Sequence, residues 1–305
     1  MKRIFLFVIT NLAAVAMLTV VAAVVCSLCG VDITQVTGEG GYVPLLVMSF
    51  VMGMAGSVIS LLMSKTMVKA SMKARPIDGS EGDTERWLVE TVRDLAGRAH
   101  LKMPEVAIYP GEPNAFATGA FKNSALVAVS TGILTQMSKE ELRAVLGHEM
   151  SHVANGDMVT LSLTQGVINT FVIFFAHIIA GVVQGALSGG KERRGNRGGC
   201  GLYHIIVQVC QMAFGVFASV VVMWYSRRRE FAADAGSARL LGSPGPMVAA
   251  LRRLGSLTPG ALPDSMKAFG IAGKKASLLS ALFASHPPLE ERIDALMNLP
   301  PDYAS

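Results

Sequence analysis

Apolar and polar residues along this chain fall into blocks. Four stretches carry no Asp, Glu, Lys or Arg: Ile4 to about Leu28, Tyr42 to Met63, Met158 to Leu187, and Leu202 to Ser226. A helix of about 20 apolar residues crosses roughly 30 Å of hydrocarbon. The pattern therefore predicts a mainly α membrane protein with four transmembrane helices. The first run is longer than a signal-peptide core of roughly 7–15 residues and does not end at an A-x-A-like site, so it reads as an uncleaved span. In the second, Gly53, Gly56, Ser57 and Ser60 leave room for a close neighbour, or else line a flexible lipid-facing helix. The last two runs include Gln165, Asn169, His177, His204 and Gln208, so a buried soluble hairpin is their competing reading. His177 has no carboxylate nearby in sequence and reads as a neutral, hydrogen-bonded histidine.

The segments between and after the runs have a different rhythm. Residues 65–157 read as a compact α/β piece. Leu88, Val92, Leu95 and Ala99 recur at helical spacing within Thr84 to Ala99. PEVAIYP (104–110) and SALVAVS (124–130) predict short strands, and NAFATG (114–119) is a third candidate between them. SKEELRAVLGHEMSHVANGD predicts a helix that starts at a capping box, Ser138 with Glu141, and stops at Asn155-Gly156. Beyond the fourth run, EFAADAGSARLLG is rich in helix formers, loops are expected around 242–246 and 258–263, and SHPPLEERIDALMNL opens a last helix. The chain thus divides into an apolar hairpin (1–64), a first polar part (65–157), a second apolar hairpin (158–226) and a second polar part (227–305).

Composition adds constraints. The chain has 305 residues, 51% of them hydrophobic and 16% charged, with a formal net charge of +5, and its excess apolarity sits in the four runs. No basic stripe interleaved with aromatics is present, which argues against nucleic-acid binding. Cys26, Cys29, Cys200 and Cys210 do not make a disulfide framework, and the C-x-x-C at 26–29 lies inside an apolar run. Lys2 and Arg3, then Lys65, Lys69, Lys73 and Arg75, then Arg227 to Arg229 flank the runs. By the positive-inside rule both termini and residues 65–157 face the cytoplasm. Lys191, Arg193, Arg194 and Arg197 disagree. Either that loop is translocated despite its charge, or the last two runs dip without crossing.

One stretch carries candidate chemistry. H-E-M-S-H (148–152) on a helix projects His148 and His152 from one face, where two imidazoles can share a tetrahedral zinc ion. Glu149, rotated roughly 100° around the helix, can reach a water on that metal. A catalytic zinc site needs a third protein ligand. His177, His204, Cys200, Cys210 and His286 are available, but Glu230 has the better placement. It follows the fourth run about as closely as His152 precedes the third, and a two-span hairpin returns the chain to its starting side. Asp234, one turn on, is then placed to orient a ligand imidazole. In the competing reading, Glu230 and Asp234 form a solvated face paired with Arg227 to Arg229.

HEMSH, EFAAD, the earlier NAFATG and the later HPPLEERI occur in the order found in HtpX-type membrane zinc metalloproteases, which the chain resembles over nearly its whole length. These belong to the gluzincin group and are related to the CAAX prenyl proteases. The resemblance implies a cytoplasmic zincin-like α+β metalloprotease domain and one Zn2+ held by His148, His152 and Glu230, with Glu149 as general base. It further implies an integral protein of the bacterial inner membrane that cleaves misfolded or damaged membrane proteins in quality control. The expected reaction is peptide hydrolysis by a zinc-activated water whose proton Glu149 takes. His286 is the candidate oxyanion donor, because the corresponding H-P region approaches the metal in related proteases; the alternative is a helix N-cap before Pro287. Asn114, Ala115, Phe116 and Ala117, as an edge strand, could pair with an extended substrate backbone. A prenyl-protein endoprotease and a non-catalytic zinc-binding membrane scaffold are the competing functions, and oligomeric state is left open.

Overall fold

The computed structural model describes residues 42–187, 198–257, 286–300 and 303. The first apolar run, the C-x-x-C at 26–29 and the basic 191–197 loop lie outside these. In chain order the elements are α1 (Tyr42–Ser71), β1 (Arg75–Ile77), α2 (Asp83–Arg98), β2 (Glu105–Tyr109), β3 (Ala115–Thr118), a 3-10 turn (Lys122–Ser124), β4 (Leu126–Ser130), α3 (Thr131–Gln136), α4 (Lys139–Asn155), α5 (Asp157–Leu187), α6 (Gly198–Leu241), α7 (Gly245–Leu257) and α8 (Leu289–Met297). Among the described residues three helices, α1, α5 and α6, are long and apolar enough to cross a membrane. They contain the second, third and fourth apolar runs. The fourth run does not end where its polar sequel begins: α6 continues unbroken through EFAAD to Leu241.

The described residues fall into two compact units, 42–58 with 163–187 and 198–219, and 59–162 with 220–257, 286–300 and 303. In the first, α1 and α5 meet through small residues. A Cβ on Gly53 would lie 2.6 Å from the Thr170 amide nitrogen, and one on Gly166 would lie 2.6 Å from Met54 Sδ. Backbones this close gain dispersion contacts where water exclusion offers no driving force. Gly56, by contrast, faces open space and takes no part in the contact. Tyr42 packs edge-on against Phe174 beside Ile178, and Ala176 and Ala180 of α5 pack with Val207 of α6. His177 Nδ1 lies 2.8 Å from the Ile173 carbonyl oxygen, a hydrogen bond within its own helix.

The second unit is built on a four-stranded sheet of order β1-β2-β4-β3. β2 and β4 run parallel, whereas β1 and β3 pair antiparallel at the two edges. β4 is buried along its whole length, as a central strand must be. Leu88, Val92 and Leu95 of α2, Val127 and Val129 of β4, Leu142, Leu146 and Met150 of α4, and Met247 and Leu251 of α7 fill one core. Ala107, Tyr109, Leu126 and Ala128 cover the other face of the sheet. α4 begins and ends where the sequence signals it. Ser138 Oγ accepts from the Glu141 amide 3.2 Å away, Glu141 Oε2 accepts from the Ser138 amide at 2.8 Å, and Gly156 ends the helix in the left-handed region at φ 70°. The sequence did not announce β1, only three residues long, α3, six residues long, or α7, which starts at Gly245 inside the expected 242–246 loop.

Candidate active site

α4 and α6 cross closely because the crossing residues are small. Ser237 Oγ donates to the Ala144 carbonyl at 2.7 Å, a Cβ on Gly147 would meet Ser237 Oγ at 2.8 Å, and one on Gly236 would meet Ser151 Oγ at 2.5 Å. The approach carries Glu230 onto the histidine face of α4. His148 Nε2 and His152 Nε2 are 3.1 Å apart, and Glu230 Oε2 and Oε1 lie 3.5 Å and 3.4 Å from them respectively. All three side chains are buried, and together they are placed to hold a metal ion. Ligand bonds of 2.0–2.2 Å in a tetrahedron put donor atoms about 3.3–3.5 Å apart, close to the separations found here.

The outer nitrogens of the imidazoles support the same fit. His148 Nδ1 is 2.8 Å from Asp234 Oδ1, and His152 Nδ1 is 2.6 Å from Asp157 Oδ2. A carboxylate only accepts, so each Nδ1 carries the proton and each Nε2 turns a lone pair inward. Two lone pairs facing one another across 3.1 Å are unfavourable unless a metal ion or a shared proton lies between them. The charges agree: the carboxylates of Glu149, Asp157, Glu230 and Asp234 outnumber the guanidinium groups of Arg229 and Arg292 by two, which a divalent ion offsets. Burial opposes charge on His148, but the neighbouring Asp234 and Glu230 carboxylates prevail and raise its pKa.

Glu149 is half-buried, and burial raises its carboxyl pKa despite the nearby histidines. Its Oε2 accepts from the Ala117 amide at 2.9 Å. Ala117 lies on β3, the edge strand, and its N–H points away from β4. By antiparallel alternation Ala115 shares that outward edge, whereas Asn114 and Phe116 face β4. The Asn114 carbonyl accepts from the Ser130 amide at 2.9 Å and its N–H donates to Ser130 Oγ at the same distance. His286 is 63% exposed in its side chain, with Nδ1 2.7 Å from Glu230 Oε2.

From sequence Arg292 reads as a surface or structural residue that could approach the metal, and Asp157 and Arg229 are not singled out as parts of the site. Arg292 is buried and grips Asp234 with two bonds, Nε to Oδ2 at 2.8 Å and Nη2 to Oδ1 at 2.6 Å. Asp157, the first residue of α5, bonds His152, and Arg229 Nη2 lies 3.1 Å from the same Asp157 oxygen. The usable signal for Asp157 was an acidic residue directly after the glycine that ends α4.

Comparisons with known proteins agree with this geometry. The model of peptidase family M48 matches residues 83–299, a stretch containing every residue of the site. A protease HtpX homolog from Herminiimonas arsenicoxydans is 56% identical over 301 residues, covering 98% of this chain and 100% of its own length. One from Janthinobacterium sp. (strain Marseille) is 55% identical over 300 residues, again covering 98% and 100%. The crystal structure of S. mikatae Ste24p superposes with a TM-score of 0.59 at 18% identity, over 82% of this chain and 58% of that one, a likeness of fold. With a family model over residues 83–299, whole-length relatives, a His-His-Glu cluster and three helices able to cross a membrane, the chain belongs to peptidase family M48 and is a membrane-bound metalloprotease.

Proposed function

We propose that the chain is a zinc-dependent endopeptidase of the bacterial inner membrane that degrades misfolded or damaged membrane proteins, with its active site on the cytoplasmic side. The observation that carries the chemistry is the convergence of His148 Nε2, His152 Nε2 and Glu230 on one point, next to the Glu149 carboxylate. Two imidazoles and a carboxylate suit zinc. Held there, zinc supplies Lewis-acid polarisation of a peptide carbonyl and makes a water molecule acidic enough to attack near neutral pH.

The remaining work falls to the chain's own side chains. Glu149 Oε2 is occupied by the Ala117 amide, so Oε1 is the oxygen that takes the proton from water and delivers it to the leaving amine. Burial favours that exchange by bringing the carboxyl towards the working pH. The outward edge of β3, through the N–H and carbonyl of Ala115 and the carbonyl of Ala117, supports recognition of an extended substrate by strand addition. Main-chain pairing reads few side chains, which suits substrates defined by loss of fold. His286, with Nδ1 on Glu230, is the proposed donor to the developing oxyanion. It fills that role by turning a ring N–H from Glu230 to the substrate oxygen. The cytoplasmic assignment rests on Lys65, Lys69, Lys73 and Arg75 after α1 and on Arg227 to Arg229 after the fourth run.

Purified full-length chain and Glu149→Ala are compared on casein, with and without a chelator, while self-cleavage is followed in the same samples. The wild type should cleave, lose activity with chelator and regain it with zinc, whereas Glu149→Ala should bind zinc and cleave at least about 100-fold more slowly. Equal cleavage by the two proteins would overturn the role of Glu149, and a zinc-loaded but inactive wild type would overturn the protease reading.

A further inference from the structure

Asp157 and Arg229 have no part in the reaction above, yet both side chains are largely buried beside a ligand. The Asp157 side chain is 10% exposed and that of Arg229 13%. Their arrangement repeats one on the opposite side of the site. His148 is backed by Asp234 and Asp234 by Arg292; His152 is backed by Asp157 and Asp157 by Arg229. Each ligand imidazole therefore ends a chain of imidazole, carboxylate and guanidinium.

We infer that Asp157 and Arg229 are positioning residues for metal binding: Asp157 fixes the tautomer and ring orientation of His152, and Arg229 fixes Asp157. The inference rests on the proposed metal site. An imidazole without a partner on Nδ1 exchanges tautomers and rotates about its ring torsion, so its Nε2 lone pair is aimed at the metal only part of the time. The break at Gly156 is what makes Asp157 available. Were α4 to continue, residue 157 would lie five positions beyond His152, about 140° around the helix and out of reach of its ring. The left-handed Gly156, φ 70°, ends α4 and starts α5, and it returns the Asp157 carboxylate to the Nδ1 side of His152. As the first residue of α5, that carboxylate also sits at the positive end of a 31-residue helix.

Arg229 is held less completely than its counterpart. Arg292 binds Asp234 through two nitrogens, whereas Arg229 reaches Asp157 through Nη2, and its buried Nε and Nη1 have no hydrogen-bond partner among the described residues. The guanidinium carbon is 5.7 Å from the Tyr225 ring, which supports it from α6 itself. Arg229 thus supports zinc binding through Asp157, its other close charge being the Glu230 carboxylate.

The test uses the full-length chain in detergent, in a Glu149→Ala background that prevents self-cleavage. Zn2+ affinity is read by competition with a fluorescent chelator, and thermal unfolding of the zinc-free protein is recorded in parallel. Asp157→Ala should weaken zinc binding by about 10–100-fold at a temperature where the zinc-free protein, made less stable by the stranded Arg229 charge, is still folded. Asp157→Asn keeps the shape and an acceptor but not the charge, and should fall between it and the parent; it decides the matter if the alanine variant does not fold. Arg229→Ala should weaken zinc less than Asp157→Ala, Arg229→Lys should restore much of the loss, and the two alanine changes together should cost no more than Asp157→Ala alone. Folded Asp157 variants that bind zinc within about twofold of the parent would overturn the inference, as would an Arg229→Ala loss that persists without Asp157. His152→Ala sets the scale: a parent that binds zinc no better than His152→Ala would instead sink the metal site itself.

Discussion

Replacing Arg292 with methionine isolates one buried charge. Methionine follows the arginine stem but ends before the guanidinium, so the packing of α8 is largely kept while Asp234 loses two hydrogen bonds, from Nε at 2.8 Å and Nη2 at 2.6 Å, and the charge that goes with them. Asp234, 2% exposed, is left with only the His148 Nδ1 bond at 2.8 Å. Hydrogen bonds to charged groups contribute about 1.5–3 kcal/mol each, and removing one partner of a buried pair costs about 3–5 kcal/mol. The surviving His148 bond keeps the loss near the lower end, so roughly 3–4 kcal/mol is expected. For a unit of this size that lowers the melting temperature by roughly 6–16 °C, at about 2–4 °C per kcal/mol. The assay is thermal unfolding of the zinc-free chain in one detergent, with hydrogen exchange of α4 and α8 peptides to locate the weakened region. Arg292→Met combined with Asp234→Asn should recover much of the loss, because the stranded charge is gone. A single variant within about 1 kcal/mol of wild type, or a double variant less stable than the single, would refute the assignment of Arg292 as the counter-charge of Asp234.

Three further outcomes are expected. Gly53→Ala should destabilise by about 1–3 kcal/mol, since its Cβ meets backbone atoms of Thr170 and Gly166 that cannot give way, whereas Gly56→Ala, facing open space, should be neutral or slightly stabilising; thermal unfolding in a common detergent separates them. Burial raises the Glu105 pKa but its ion pairs with Lys65, at 2.8 Å, and Lys69 prevail and lower it, so its stabilisation is present above the unfolded value of about 4.3 and is lost as pH falls through the folded one. Glu105→Gln should accordingly be less stable than wild type by about 1 kcal/mol at most near neutral pH, with the two converging below about pH 4. Ser138→Ala removes the capping box of α4 and should cost about 1 kcal/mol, seen as faster exchange of the amides at 139–142.

The legible parts were those whose signals are local. α4 was readable because its cap, its glycine stop and its i, i+4 histidines all lie within twenty residues. Glu230 was within reach because a two-span hairpin constrains where the chain re-emerges. The second tier was hidden because nothing periodic relates its members. Asp157 reads in sequence as an ordinary acidic helix start, and Arg229 as one of three basic residues flanking an apolar run; their partnership exists only after α5 and α6 are placed. Arg292, in the middle of a charged helix start, gives no sign that α8 buries it. β1 owes its existence to pairing with β2 and not to the propensity of Arg75-Pro76-Ile77. α7 starts among the glycines and prolines of GSPGPM, which mark a loop, but Pro246 also suits a first helical turn and Met247 and Leu251 enter the core.

The distribution of the site along the chain also governs when activity can first exist. His148, His152 and Asp157 leave the ribosome early, Glu230 and Asp234 only after two long apolar helices, and Arg292 close to the C-terminus. Synthesis at about 5–20 residues per second separates the first ligand from the last buried counter-charge by roughly 7–30 s. Until Glu230 follows, the nascent polypeptide carries two of the three residues placed to hold the metal. The order of the residues along the chain thus lets the three metal-holding side chains meet only after both apolar helices between His152 and Glu230 have been made.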